Sequence, residues 1–298
     1  MSHRRRALIL DLDNTLYDWV GFFVPAINAL VETASEILAV DPNALRDDLR
    51  LVHRRHENSE HPFALLETAA VRDWLAGRPA RVAMEALDPA FHAFNRVRRE
   101  KLRLYPGVRE LLDRLAGQGI LVAAFSESRQ YGVFDRLSRL GVEDAFDVVF
   151  CRPPSPSTEL VRSSRSAFLR RLKSDKYRLL PEAFRKPDAA ALRGVLLRWG
   201  IDPSRSAYVG DSVFKDVLMA READVPAVWA RYGAVVDSDL YADLVSVSHW
   251  TDTDIARDKA LRAHAGEVRP DFVIDDVRDI WDVLKALDAR APRYAVGV

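Results

Sequence analysis

A single cysteine, Cys151, stands in 298 residues, which excludes an internal disulfide and any cysteine-rich metal site. It follows Val148-Val149-Phe150 and reads as a buried strand residue rather than a nucleophile. Net charge is also missing: 44 basic and 44 acidic residues cancel, leaving no global field for nucleic acid or membrane. Long apolar runs are lacking too. The basic start, Met1 to Arg6, is followed only by Ala7 to Leu10, too short for a signal peptide, and no later run reads as a membrane span. The expectation is a soluble cytoplasmic protein with no specific nucleic-acid or membrane partner. No internal repeat is found. A hydrophobic content of 48% is ample for a core, and the length suits one large domain or a domain with an inserted module.

What the chain does have is a set of short apolar runs that look like buried parallel strands. Four are clear: Ala7 to Leu10, Ile120 to Phe125, Phe146 to Cys151 and Ala207 to Val209. Val225 to Trp229 and Phe272 to Ile274 add two more. Helical patterns separate most of them, which argues for a parallel α/β sheet. One helix follows Pro106-Gly107 over 108–116, one runs from near Ser128 to Gly141, and one starts at Pro187 and ends at Gly200. Residues 17–103 break the alternation. Ile27, Leu30, Val31, Ala34, Ile37 and Leu38 keep helical spacing, and Asp41-Pro42 opens a second helix. The reading is an all-helical module, 17–103, inserted after the first strand of a core formed by 1–16 and 104–298. Two further insertions are expected. Residues 152–185 begin with prolines and serines and carry nine basic residues against three acidic ones; residues 236–270 are acidic and polar. Phe168, Leu169 and Leu172 among arginines suggest one short amphipathic helix, and a basic stretch there is a candidate screen for an anionic substrate.

The strand ends carry the chemistry. The first strand runs into Asp11-Leu12-Asp13-Asn14-Thr15, so two carboxylates and a hydroxyl arrive where α/β sheets place ligands. The second runs into Ser126-Glu127-Ser128 at a strand-to-helix turn, where a hydroxyl and free amides suit a phosphate; a plain helix cap is the competing reading. Lys186 stands just before a helix, where a cation opposes the helix dipole unless an anion is near. After the fourth strand come Gly210-Asp211, then Asp216, with Gly210 permitting a tight turn. Together these make a site for phosphoryl transfer. Carboxylates hold a hard divalent cation, a lysine and a serine grip phosphate oxygens, and remaining carboxylates attack phosphorus and move protons.

This set, in this order, resembles the haloacid dehalogenase-like hydrolase superfamily over 5–16 and 104–235, and over 271–290. The resemblance implies a Rossmann-like core with a helical cap between the first and second motifs. It implies Asp11 as the nucleophile that forms an aspartyl-phosphate, and Asp13 as acid for the leaving alcohol and then base for water. Thr15 orients Asp13 or the phosphate, and Ser126 and Lys186 bind the phosphoryl group, with Glu127 beside them. Asp11, the Asp13 backbone carbonyl and Asp211 hold Mg2+, with Asp216 in or next to that shell. Asp13 argues against the dehalogenating and phosphonate-cleaving members, which lack it. Glu127 departs from the neutral residue common there, and is expected to turn away from phosphate. The expected activity is Mg2+-dependent hydrolysis of a small-molecule phosphate monoester. The alternatives are a phosphotransferase or sugar-phosphate mutase, and a non-catalytic binding module. Tyr17, Asp18 and Trp19 are placed at the entrance. The cluster His53-Arg54-Arg55-His56 with His61 and Arg72 is a candidate for recognising an anionic group, against a solvated helix face.

Overall fold

The computed structural model describes residues 5–61, 63–154, 175–234 and 238–290. The first strand, β1 (Ala7–Leu10), is buried along its whole length, as a strand covered on both faces must be. Helices α1 (Trp19–Leu38), α2 (Pro42–His56), α3 (Ala69–Leu75), α4 (Ala80–Ala86) and α5 (Asp88–Lys101) follow, then α6 (Val108–Leu115). The sheet resumes with β2 (Leu121–Arg129), α7 (Gln130–Leu140), β3 (Val148–Arg152) and β4 (Tyr177–Leu179). After α8 (Ala189–Arg198) come β5 (Ala207–Gly210), a π-helical turn at Val213–Val217, α9 (Leu218–Glu222) and β6 (Ala227–Ala230). The chain closes with α10 (Ser238–Val247), α11 (Asp252–His264), β7 (Phe272–Ile274) and α12 (Ile280–Arg290).

The seven strands are ordered β4-β3-β2-β1-β5-β6-β7, and every pairing is parallel. The α/β, Rossmann-like reading of the sequence therefore holds. The chain moves outward from β1 to β4, then returns across β1 to start β5. The order thus reverses between β1 and β5, the crevice where such sheets bind ligands. Alternation divides the core. Leu8 and Leu10 join one cluster with the helices of 19–101, α6 and α12, while Ala7 and Ile9 join another with Phe125, Leu192 and Tyr208. By length and apolar content α1 passes as a bilayer span. Here Phe22, Phe23, Ile27, Leu30 and Val31 are buried and α1 packs on α5.

Several boundaries differ from the sequence reading. β2 continues through Ser126 and Ser128, and its helix begins only at Gln130. The helix after Lys186 begins at Ala189, not Pro187: the Asp188 carboxylate accepts from Ala191 N at 2.9 Å and sets the start. The Lys186–Pro187 peptide is cis. The 152–185 segment is not all insertion, since Tyr177–Leu179 pairs with β3 as the edge strand. Its proposed amphipathic helix, and Arg170, Arg171 and Lys173, lie outside the described residues. The second expected insertion holds the two helices α10 and α11; Leu244 and Val247 are buried as α10 packs on α1 and α2. Cys151 is buried in β3, and burial pushes its thiol up to about 12, well away from nucleophilic use.

Candidate active site

Asp11 follows β1 directly, and its amide donates to Val209 O at 2.9 Å, which ties it to the neighbouring strand. Its side chain is buried between two donors. Thr15 Oγ1 donates to Oδ2 at 3.1 Å, and the Lys186 ammonium donates to Oδ1. Lys186 also donates to Asp216 Oδ1 at 2.7 Å. Tyr208 OH shares that oxygen at 3.1 Å, and Ser212 N donates to Asp216 Oδ2 at 3.1 Å. Both oxygens of Asp216 are thus engaged by the protein. Asp211 is bonded through its backbone carbonyl instead, which accepts from Trp229 Nε1 at 2.8 Å.

The backbone makes this convergence possible. Gly210 is not needed for a left-handed turn. A Cβ there would stand 2.3 Å from the Asp216 carboxyl carbon, so glycine is what lets Asp216 fold back. The π-helical turn carries the folding back, with both Asp216 N and Val217 N donating to Ser212 O. Asn14 adopts φ 58°, a conformation Asn tolerates, and its Oδ1 accepts from Trp19 N at 3.0 Å at the start of α1. Gly233 presses on this turn: a Cβ there would lie 1.7 Å from Asn14 O. Gly233→Ala is therefore expected to displace the turn that carries Asp11 and Asp13. We expect a loss of about 1–3 kcal/mol, read as a lower melting temperature together with reduced turnover.

Asp13 faces the other way. Its carboxylate accepts from Tyr17 OH at 2.8 Å and Ser128 Oγ at 2.7 Å, and lies 3.3 Å from Arg136 Nη2. Thr15 meets Asp11, not Asp13, because Asp13 is drawn to this second set of donors. Arg136 is 1% exposed and also bonds Glu60 and, through Nε, Tyr17 OH at 2.8 Å. Ser126 Oγ accepts from Ser128 N at 3.0 Å. Glu127, grouped with Ser126 on sequence, is engaged otherwise. It accepts from Lys186 N at 2.7 Å and pairs with Lys215 at 3.6 Å, so it positions the Lys186 backbone.

The electrostatics follow from burying more carboxylates than cations. Burial, then Asp216 and Asp13 against the opposing pull of Lys186, pushes the Asp11 carboxyl up to about 7. Burial, with Asp216 and Asp11, raises Asp211 well above the carboxylate range. Burial alone would lower the Lys186 ammonium, but Asp11 and Asp216 hold it well above the ordinary lysine value. One oxygen each of Asp11, Asp211 and Asp216 lies within 4.8 Å of the others. This oxygen-only donor set, short of positive charge, fits a hard divalent cation such as Mg2+.

A cavity of about 1230 Å³ opens on these groups, lined also by Trp19, Trp229, Tyr241 and Trp250. Trp19 lines it as the sequence suggested, whereas Asp18 caps α1 by accepting from Gly21 N at 2.7 Å. The basic cluster on α2 is drawn elsewhere because α10 and the loop after it cover that face. His53 Nδ1 bonds Val247 O at 2.7 Å, Arg54 donates to Trp250 O, and His56 and His61 share Glu67. Sequence reasoning missed Glu60 and Arg136, and placed Tyr17 at the entrance without its bond to Asp13. A signal was present: Val133, Arg136 and Leu137 share one buried helix face, where arginine needs partners.

Fold and site together define an α/β protein that gathers carboxylates and a lysine at the crevice between β1 and β5. The chain belongs to the haloacid dehalogenase-like hydrolases: that family's model matches residues 5–224, and one for HAD-hydrolase-like proteins matches 183–280. It is therefore a hydrolase. The phosphoglycolate phosphatase of Agrobacterium fabrum is 27% identical, with 90% of this chain and 87% of that protein covered. The glyceraldehyde 3-phosphate phosphatase of Pyrococcus furiosus is 23% identical, with 81% and 89% covered. Among solved structures, a 2-haloacid dehalogenase from Pseudomonas syringae shares the fold at a TM-score of 0.51 and 18% identity, over 95% of this chain and 99% of that one.

Proposed function

We propose that the protein is a Mg2+-dependent phosphatase that hydrolyses a small phosphate monoester through an aspartyl-phosphate on Asp11. One observation carries the reading: a buried carboxylate at the end of β1 is flanked by a lysine and two further carboxylates, with Asp13 nearby on separate donors. Relatives named as phosphatases of small phosphate esters support it.

In this reading, a carboxylate oxygen of Asp11 bonds to phosphorus as the ester P–O bond breaks. The proton on Asp13 passes to the departing alkoxide. Water then attacks phosphorus, gives its proton to Asp13, and releases Asp11 with inorganic phosphate. Lys186 and Ser126 hold phosphoryl oxygens through both steps. Asp11, the Asp13 carbonyl and Asp211 would hold Mg2+, which offsets charge on the phosphoryl group. Asp216 is better suited to fixing Lys186, since the Tyr208 hydroxyl and the Ser212 amide hold its carboxylate against that lysine. The residues 17–103 act as the cap that shields the intermediate, on a core of 1–16 and 104–298. The cytoplasm is the compartment that suits such an enzyme.

A panel of small phosphate monoesters tests the function. The expected result is Mg2+-dependent release of inorganic phosphate from at least one of them. Transfer of phosphate to an acceptor, with no release to water, would replace this reading by that of a phosphotransferase or sugar-phosphate mutase.

A further inference from the structure

Arg129 ends β2, Arg152 ends β3, and Arg185 precedes Lys186. All three line the cavity that holds Asp11, Ser126 and Lys186. Arg129 and Arg152 are buried, and a buried arginine needs partners. Among the described residues, their carboxylate partners are both on the rim. Glu57 Oε2 accepts from Arg152 Nη2 at 3.1 Å and Arg185 Nη2 at 3.0 Å, and lies 3.9 Å from Arg129 Nη2. Glu182 Oε1 lies 2.8 Å from Arg129 Nη1 and 3.8 Å from Arg152 Nη2. The Glu57 and Glu182 side chains are 57% and 55% exposed. Among the described residues, three guanidiniums therefore share two carboxylates that face solvent. Burial, then the charges of Arg185 and Arg129 against the opposing pull of Glu182 and Glu57, pushes the Arg152 guanidinium down to about 10.

Glu57 shows what this cluster accepts. A single carboxylate oxygen draws donors from two arginines and sits beside a third, the strong charge-assisted pairing that guanidinium favours. Yet Glu57 is not built in deeply. It caps α2 at φ 45°, an uncommon conformation for glutamate, and its side chain is half in solvent.

We propose that Arg129, Arg152 and Arg185 form a subsite for a carboxylate carried by the substrate away from its phosphoryl group, which deepens and rests on the phosphatase reading. The preferred substrate is then a short phosphocarboxylic acid. Glu57 holds the subsite until the substrate carboxylate displaces it. If the arginines instead only fasten the segment after α2 to the core, Glu57 is a partner to keep rather than a competitor.

Calorimetry with phosphonoacetate and ethylphosphonate, which differ in the carboxylate and cannot be hydrolysed, reads the subsite directly in Mg2+-loaded protein. Wild type is expected to bind phosphonoacetate at least about tenfold more tightly, the scale of one charge-assisted pair. Arg152→Met should bring the two affinities together, while Glu57→Gln should keep or widen the gap. Arg185→Met, at a partly exposed position, serves if Arg152→Met does not fold. Equal binding by wild type, equal loss of both ligands in the arginine variant, or a gap closed by Glu57→Gln would overturn the proposal. A wild type that prefers phosphonoacetate but releases phosphate from no ester would strike the phosphatase reading and leave the subsite standing.

Discussion

Replacing Asp11 by asparagine is expected to reduce phosphate release by at least about 10⁴-fold, the scale seen when a covalent nucleophile is removed. The amide keeps the shape and the contact with Thr15, but it has no charge with which to attack phosphorus. The fold should survive. A buried acid whose folded pKa is raised from 3.8 to about 7 withdraws stability as pH climbs through that window. An amide does not titrate there, so in metal-free buffer above pH 7 the variant should melt no lower than wild type. Thermal unfolding followed by circular dichroism checks this, beside the activity assay. Near-normal turnover would remove Asp11 from the mechanism.

Removing the metal is expected to cost as much. Chelation should lower activity by several orders of magnitude, and added Mg2+ should restore it. The reason is electrostatic: Asp11, Asp211 and Asp216 crowd one buried place, and among the described residues Lys186 is the one cation bonded there. Asp211→Ala should raise the Mg2+ concentration needed for half-maximal activity or abolish activity, because Asp211 has the carboxylate most open to a cation. Full activity in excess chelator, with metal verified absent by elemental analysis, would contradict the metal's role.

How far these residues were legible in the sequence depended on how local their signals were. β1 was plain because four apolar residues run straight into Asp11. Asp211 and Asp216 were also plain, since a glycine and a strand end precede them. β4 was not, because Tyr177–Leu179 is three residues long, has an arginine at its centre and pairs on one side only. An edge strand of that kind carries neither a continuous apolar run nor a clean alternation. The start of α8 was misjudged because Pro187 competes with Asp188 as a helix signal, and the side-chain cap decides. Gly210 was assigned to a turn, whereas its reason is three-dimensional: Asp216 occupies the space a Cβ would need. The pairing of Asp13 with Ser128 and Arg136, and of Arg136 with Glu60, was hidden for the same reason, since these residues are far apart in the chain and only folding brings them together. Of the three clustered arginines, Arg129 fell in the helix expected from near Ser128, and Arg152 and Arg185 in a stretch read as insertion.

The most direct measurement of the central claim is to find the covalent intermediate. Protein mixed with a labelled phosphate monoester and Mg2+, then quenched in acid within milliseconds, is digested and examined by mass spectrometry. The account predicts a hydroxylamine-sensitive phosphate on the peptide containing Asp11, absent from Asp11→Asn. Turnover of the same ester with no label on Asp11 would contradict it.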